Sequence, residues 1–237
     1  MSMLAPLLDH DPASPRLTVY DEVAGTRMEF SAITLDNWAN KIANMLIDEF
    51  DLTDSPTSNT ADIIIDLPVS WQAAVLPIGV YTAGLQPTID TAQATDPAQA
   101  ADPTASPRLV FTTTARADLW IAAGATDIAV VSDDPFGRGV VESGGQLPRG
   151  AVDFGPTVRF YGDQFFGPTP ELHQWRKPEV TDKPERLLVP SWHTREDFDA
   201  YVLAPLAAGG SVVAVTGMAS TERIAHIAET EKVTRVV

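Results

Sequence analysis

Apolar residues recur along the first part of the chain in three different rhythms. Leu17 to Glu22 and Arg27 to Phe30 alternate about Val23-Ala24-Gly25-Thr26, where Gly25 can take a positive φ, so the spacing predicts a β-hairpin. From Ser31 to Phe50 the period lengthens. Leu35, Trp38, Ile42, Met45 and Leu46 form the apolar stripe of an amphipathic helix, opened by a Ser31 or Thr34 cap. After a polar turn region at 51–61, Asp62 to Leu67 is continuously apolar between its aspartates, the pattern of a strand covered on both faces. Ser70 can then cap a helix from Trp71 to Gly84. Pro77 in its interior removes a backbone donor, so the helix is expected to be kinked or broken near residues 73–77.

Asp90 to Pro107 holds no Val, Ile, Leu, Met or aromatic residue and reads as a surface loop with some Ala-rich helix. Beyond it come a strand from Arg108 to Thr113, a helix from Ala115 to Gly124 and a strand from Asp127 to Val131. This β-α-β-α-β alternation predicts a parallel sheet. Glycines and prolines dominate from Ser132 to Gly155, and Val158 to Tyr161 reads as a further strand. A Pro-rich connector at Gly167–Pro184 separates this part from a second alternation. That alternation is a strand at Leu187–Val189, a helix at Arg195–Ala208 opened by the capping box Thr194/Asp197, a strand at Ser211–Val215, a helix at Ser220–Glu231 and a strand at Val233–Val237. The expectation is an α/β chain of one domain over 1–237, subdivided into 1–166 and 187–237 around the connector, with an N-terminal β-hairpin and an incomplete second sheet.

Charge narrows the function classes. The 237 residues carry 16 Lys+Arg against 32 Asp+Glu, a net charge of −16. A nucleic-acid or anionic-membrane surface needs a basic footprint, so neither partner is expected. Residues 1–118 hold 5 of the basic and 16 of the acidic side chains, so an anionic ligand is more easily met in the second half. There is no cysteine, which removes disulfides, thiolate nucleophiles and Cys-ligated metals together. Asp9 and Asp11 stand where a secretory signal would place basic residues, and the uncharged stretch Leu67–Ile89 is interrupted by Pro68, Pro77, Pro87, Gly79 and Gly84. A cytoplasmic protein with a buried core segment, not a membrane span, is the expectation.

Candidate chemistry is sparse. Thr112-Thr113-Thr114 ends a parallel strand and precedes a helix, where hydroxyls and helix amides can meet an anion, although the same residues serve as ordinary N-caps. Gly137, Gly139, Gly144 and Gly145 lie near Arg138 and Arg149, but their spacing fits no dinucleotide or Walker loop, so a solvated loop is expected. Asp133 and Asp134 are adjacent in a turn and read as solvated acids. His10, His173, His193 and His226 have no metal-ligand spacing, and no Gly-x-Ser-x-Gly or His-Glu-x-x-His occurs. No catalytic residue, cofactor or metal is expected.

The order of the pieces carries a resemblance. Leu35-Asp-Asn-Trp-Ala-Asn-Lys-Ile-Ala-Asn-Met-Leu46 and Asp62 to Gly84, with Pro68, Trp71 and Gly84 in register, are similar to consecutive segments of the acyl-adenylate-forming superfamily of acyl-CoA synthetases, adenylation domains and luciferases. Val189-Pro-Ser-Trp-His193 resembles that family's Pro-x-Phe-His element. Leu203 to Gly209 and Glu231 to Thr234 resemble two segments that follow it. The resemblance implies an α/β fold like the N-terminal domain of acyl-CoA synthetases. It also implies that Trp192 and His193 line a groove for an acyl or nucleotide ligand, unless His193 merely packs before a helix.

The departures are as informative. The family's phosphate loop, a Ser/Thr/Gly-rich run ending in Gly-x-Pro-Lys, should precede the Val189–His193 element, and residues 162–186 hold no such run. Lys41, Lys177, Lys183 and Lys232 follow Asn40, Arg176, Asp182 and Glu231, so no Gly-Lys or Pro-Lys occurs anywhere. The family's later ribose-binding and catalytic-lysine elements are also missing from the sequence. The resemblance therefore implies a non-catalytic, pseudoenzyme-like binding or scaffold module. One alternative is a ligand-binding protein that keeps the groove; another is a half-enzyme completed by a partner chain. An apolar sheet edge around Val212, Val213, Val215, Val236 and Val237 would favour a homodimer or a protein partner.

Overall fold

A seven-residue strand whose every interior position is buried cannot lie at the edge of a sheet, and this places the N-terminal hairpin. In the computed structural model, which describes residues 2–52, 63–90, 107–176, 184–189 and 191–237, strand β1 (Pro15–Asp21) pairs antiparallel with β2 (Thr26–Ser31). The turn between them is closed by Asp21, whose Oδ1 accepts from the amides of Val23 and Ala24 at 2.9 Å, and by Gly25 at φ +66°. The other side of β1 pairs in parallel with β9 (Ser211–Thr216), with Leu17 opposite Val212 and Val19 opposite Ala214. Strands β8 (Arg186–Val189) and β10 (Arg235–Val236) complete a five-stranded sheet of order β10-β8-β9-β1-β2.

This sheet belongs to a compact unit of residues 1–37, 69–71 and 169–237, which includes the short helix α1 (Ala5–His10) ahead of β1. Between β8 and β9 the chain forms α6 (Arg195–Phe198), a π-helical turn at Asp199–Leu203 and α7 (Ala204–Ala207). The predicted capping box is present: Thr194 Oγ1 accepts from the Asp197 amide at 3.1 Å. Helix α8 (Thr221–Thr230), capped by Ser220, lays Ile227 against Tyr20, Leu188, Val213 and Val215. Val212, Val213 and Val215 are therefore not an open apolar edge. They lie on a strand flanked on both sides and are buried, while Val236 and Val237 are about half exposed. The open-edge argument for a homodimer thus loses three of its five residues.

The second unit, residues 38–68 and 72–168, is built on an all-parallel sheet. Its strands are β3 (Ile63–Asp66), β4 (Pro87–Asp90), β5 (Leu109–Thr112), β6 (Asp127–Val130) and β7 (Val152–Asp153), in the order β4-β3-β5-β6-β7. Three helices belong to its connections: α3 (Trp71–Thr82), α4 (Thr114–Ala122) and α5 (Phe154–Phe160). Helix α2 (Ala32–Asp48) begins at the Ser31 cap, whose Oγ accepts from the Thr34 amide at 3.2 Å. Ile42 of α2 lies so close to Gly79 of α3 that a Cβ on Gly79 would overlap the Ile42 side chain.

Two expectations are corrected here. Helix α3 runs unbroken from Trp71 to Thr82, which corrects the break, though not the kink, expected near 73–77; burial along its whole length outweighs the one hydrogen bond that Pro77 cannot donate. Val158–Tyr161 is not a strand, because it falls on α5 and the turn after it. Pro156 sits in the first turn of that helix, where backbone N–H groups have no intrahelical partner and a missing one costs nothing. Most of the 90–107 loop and part of the 167–184 connector lie outside the described residues.

Candidate functional site

From β3 the chain goes outward to β4, then returns past β3 to add β5, β6 and β7, so the direction of winding reverses between β3 and β5. In doubly wound sheets such a reversal opens a crevice at the carboxyl ends of the two strands. The residues at those ends are Asp66 and Thr112, which are register partners. Asp66 is fully buried, and its Oδ2 accepts from Thr112 Oγ1 at 3.1 Å, Arg116 Nε at 2.7 Å and Trp120 Nε1 at 2.5 Å. Arg116 and Trp120 are four residues apart on α4, hence on one face of the helix. Asp66 Oδ1 is equally buried and has no hydrogen-bond partner among the described residues. A desolvated carboxylate with one oxygen held three times and the other unheld is an acceptor waiting for a donor.

The Thr112–Thr114 run divides at this point. The Thr112 hydroxyl is turned inward to Asp66, Thr113 is the N-cap of α4 without a side-chain cap bond, and Thr114 is exposed in the first turn. Nothing in the sequence alone tied these residues to Asp66, Arg116 and Trp120. The signal available was an aspartate ending an otherwise all-isoleucine strand, with an Arg and a Trp at i, i+4 on a nearby helix.

The glycine-rich loop after β6 is exposed over 141–146, as expected of a solvated loop, but its first turn, around the buried Gly137 and Gly139, is held by carboxylates. Asp134 accepts from the Phe136 and Arg138 amides at 2.9 and 3.2 Å and from the Arg138 guanidinium at 3.0 and 2.8 Å. The Arg138 guanidinium beside it holds the Asp134 carboxyl below its ordinary range. Asp153 accepts from the Val140 and Val141 amides, and Glu142 from the Gly139 amide. Asp134 is thus a buried structural acid, correcting the expectation for that member of the pair, while Asp133 is exposed as expected: four donors supplied within four residues replace the water of Asp134. The loop's own acids occupy the amides that an anion would need.

In the other unit, Trp192 and His193 part company. Trp192 is fully buried with its ring 5.6 Å from that of Phe198 in an edge-to-face contact, and its Nε1 has no partner among the described residues. His193 is exposed; its amide donates to Asp197 Oδ2 at 3.1 Å and its Nε2 lies 3.1 Å from Ser191 Oγ. Trp192 and His193 lie in one unit and Thr112 to Thr114 in the other.

A second buried acid, Glu231, follows α8. It accepts from Tyr20 OH at 2.7 Å, Arg27 Nε at 2.8 Å and Arg186 Nη2 at 2.5 Å. Burial alone would raise its carboxyl, but the donors from Arg27, Tyr20 and Arg186 prevail and bring it to about 2. Among the described residues no group of His, Asp or Glu could hold a metal ion, and no helix is long and apolar enough to cross a membrane.

The fold is that of acyl-CoA synthetases. The Brucella canis acyl-CoA synthetase superposes with a TM-score of 0.75 at 14% identity over the whole chain, and apo MatB from Rhodopseudomonas palustris with 0.63 at 15%. ATP-bound MatB from the same organism gives 0.65 at 14%. The chain spans only 47% of the Brucella synthetase and 49% of MatB. No protein-family profile matches the chain. A Mycobacterium tuberculosis (strain H37Rv) protein described as a TIGR03089 family protein is 36% identical, covering the whole of this chain and 96% of its relative. The chain belongs to the TIGR03089 family.

Proposed function

We propose that the protein is a binding module on the acyl-CoA-synthetase fold that does not adenylate carboxylates, with its ligand site at the carboxyl ends of β3 and β5. The observation that carries this reading is Asp66: a fully buried carboxylate at the winding reversal of a parallel sheet, with one oxygen unpartnered among the described residues. An adenylating enzyme would need amides and a lysine around the ATP phosphates. Here residues 162–186 lack the glycine-rich run, and the amides of the other glycine-rich loop are taken by Asp134, Glu142 and Asp153. The Mycobacterium tuberculosis relative aligns with this chain over 96% of its own length.

MatB of the same fold has been solved with ATP, so ATP and AMP head the panel of probes, followed by coenzyme A and a non-hydrolysable acyl-adenylate. Adenine offers the amine donor that Asp66 Oδ1 lacks. At 100 times its dissociation constant a probe raises stability by about 2.7 kcal/mol, read as a shift in thermal midpoint. The expected result is a shift with at least one probe that Thr114→Ala diminishes, together with no carboxylate-dependent ATP–pyrophosphate exchange. Exchange by homogeneous protein overturns the non-adenylating reading, and a flat response to all four probes overturns the binding reading.

A further inference from the structure

We propose that Ser191 and His193 form a nucleophile–base pair that takes acyl groups from small uncharged activated esters. The inference goes beyond the binding reading and does not rest on it. Its basis is the anchoring of one side chain between the two. Trp192 is driven wholly into the core against Phe198. The residues on either side of it do not share its burial: Ser191 is half-buried, His193 is exposed, and Ser191 Oγ lies 3.1 Å from His193 Nε2. That is hydrogen-bond reach for a hydroxyl nucleophile and its base.

The main chain of the pair is fixed as well. Asp197 Oδ2 accepts from the amides of His193 and Thr194 at 3.1 and 3.2 Å, while Thr194 Oγ1 accepts from the Asp197 amide, so the start of α6 pins the backbone that carries the imidazole. With the ring proton on Nδ1, the Ser191 hydroxyl donates to Nε2. As Oγ forms a bond to the ester carbonyl carbon, that proton passes to Nε2. The tetrahedral adduct expels the alcohol, which takes the proton back from His193. Water then attacks acyl-Ser191, giving a proton to Nε2 that returns to Ser191 Oγ as the acid leaves. The net reaction is ester plus water to acid plus alcohol. The net charge of −16, with Glu196 and Asp197 beside the pair, disfavours polyanionic acyl donors and favours neutral ones.

The test treats the full chain with an uncharged alkyl fluorophosphonate and, separately, with p-nitrophenyl acetate. Expected are one phosphonyl group per chain by intact mass, located on the peptide containing Ser191, and loss of that label in Ser191→Ala. His193→Gln should label at least tenfold more slowly, and p-nitrophenol release should fall in the same two variants. Because His193 is exposed and Ser191 is half-buried, thermal midpoints should stay near that of the parent. Absence of labelling in the unaltered protein overturns the proposal. So does labelling that persists in Ser191→Ala, or that proceeds at an equal rate in His193→Gln.

Discussion

Glu231 in one unit and Asp66 in the other are both buried acids joined to arginine, yet their surroundings differ. Both Glu231 oxygens are engaged, Oε1 by Tyr20 and Arg27 and Oε2 by Arg186. Its partners come from β1, β2 and β8, so the carboxylate ties the end of α8 to three strands. All three donors to Asp66 converge on Oδ2 and come from β5 and α4, leaving Oδ1 unheld among the described residues. A saturated carboxylate is a fastener. A half-saturated one at a sheet's winding reversal is where the ligand proposed above would be met, and its unheld oxygen costs stability.

The sharpest way to break this contrast is Asp66→Asn, which keeps the volume and deletes the charge. Breaking the ion pair of a buried carboxylate site costs up to about 3–5 kcal/mol, reduced here because Arg116 is only half-buried, so urea unfolding should show a loss of about 2–3 kcal/mol. A loss below about 1 kcal/mol would mean that Arg116 simply turns to water. Next is Glu231. Its folded-state carboxyl at about 2 lies below the ordinary 4.5, so its contribution is complete above pH 4.5 and fades as the pH falls toward 2. The difference corresponds to roughly 3 kcal/mol. Glu231→Gln should be destabilised by that order at pH 7, and its gap from the parent should close as melts are taken down toward pH 2. A gap that is independent of pH would show that packing, not charge, holds α8.

Smaller effects refine the picture. Gly79→Ala forces a methyl into Ile42 across the α2–α3 approach and should cost about 1–3 kcal/mol in chemical denaturation, as overpacking does. Ser220→Ala removes the oxygen that accepts from the Arg223 amide at 3.2 Å. It should lower stability by about 1 kcal/mol, measured as a thermal shift.

Much of this architecture was legible in residue patterns because the patterns are local. Asp62 to Leu67 reads as a doubly covered strand, the Val23–Thr26 turn as a hairpin, and Thr194/Asp197 as a helix start; each stands close to where its pattern put it. Val158 to Tyr161 misled because β-branched and aromatic side chains favour strands, while the helix that holds them is set by its first turn and by burial of Phe154 and Val158. The site was less legible for a different reason. Asp66 meets Thr112 46 residues on and Trp120 54 residues on, a pairing created by strand order rather than by spacing. Trp192 and His193 were legible as neighbours, but which faced the core depended on Phe198 six residues later.

The π-helical turn at Asp199–Leu203 sets an angular phase. A regular helix advances about 100° per residue, and a turn closed from i to i+5 takes in one residue more than the regular repeat. Every side chain after it is thereby shifted in azimuth relative to an uninterrupted helix. Phe198 before the turn and Val202, Leu203 and Leu206 within and beyond it are all buried. Deleting one residue between 199 and 203 would let the stretch close as regular helix with Leu206 kept in phase with Phe198, whereas inserting one would rotate Leu206 by about 100°, so this stretch should accept a one-residue deletion but not an insertion.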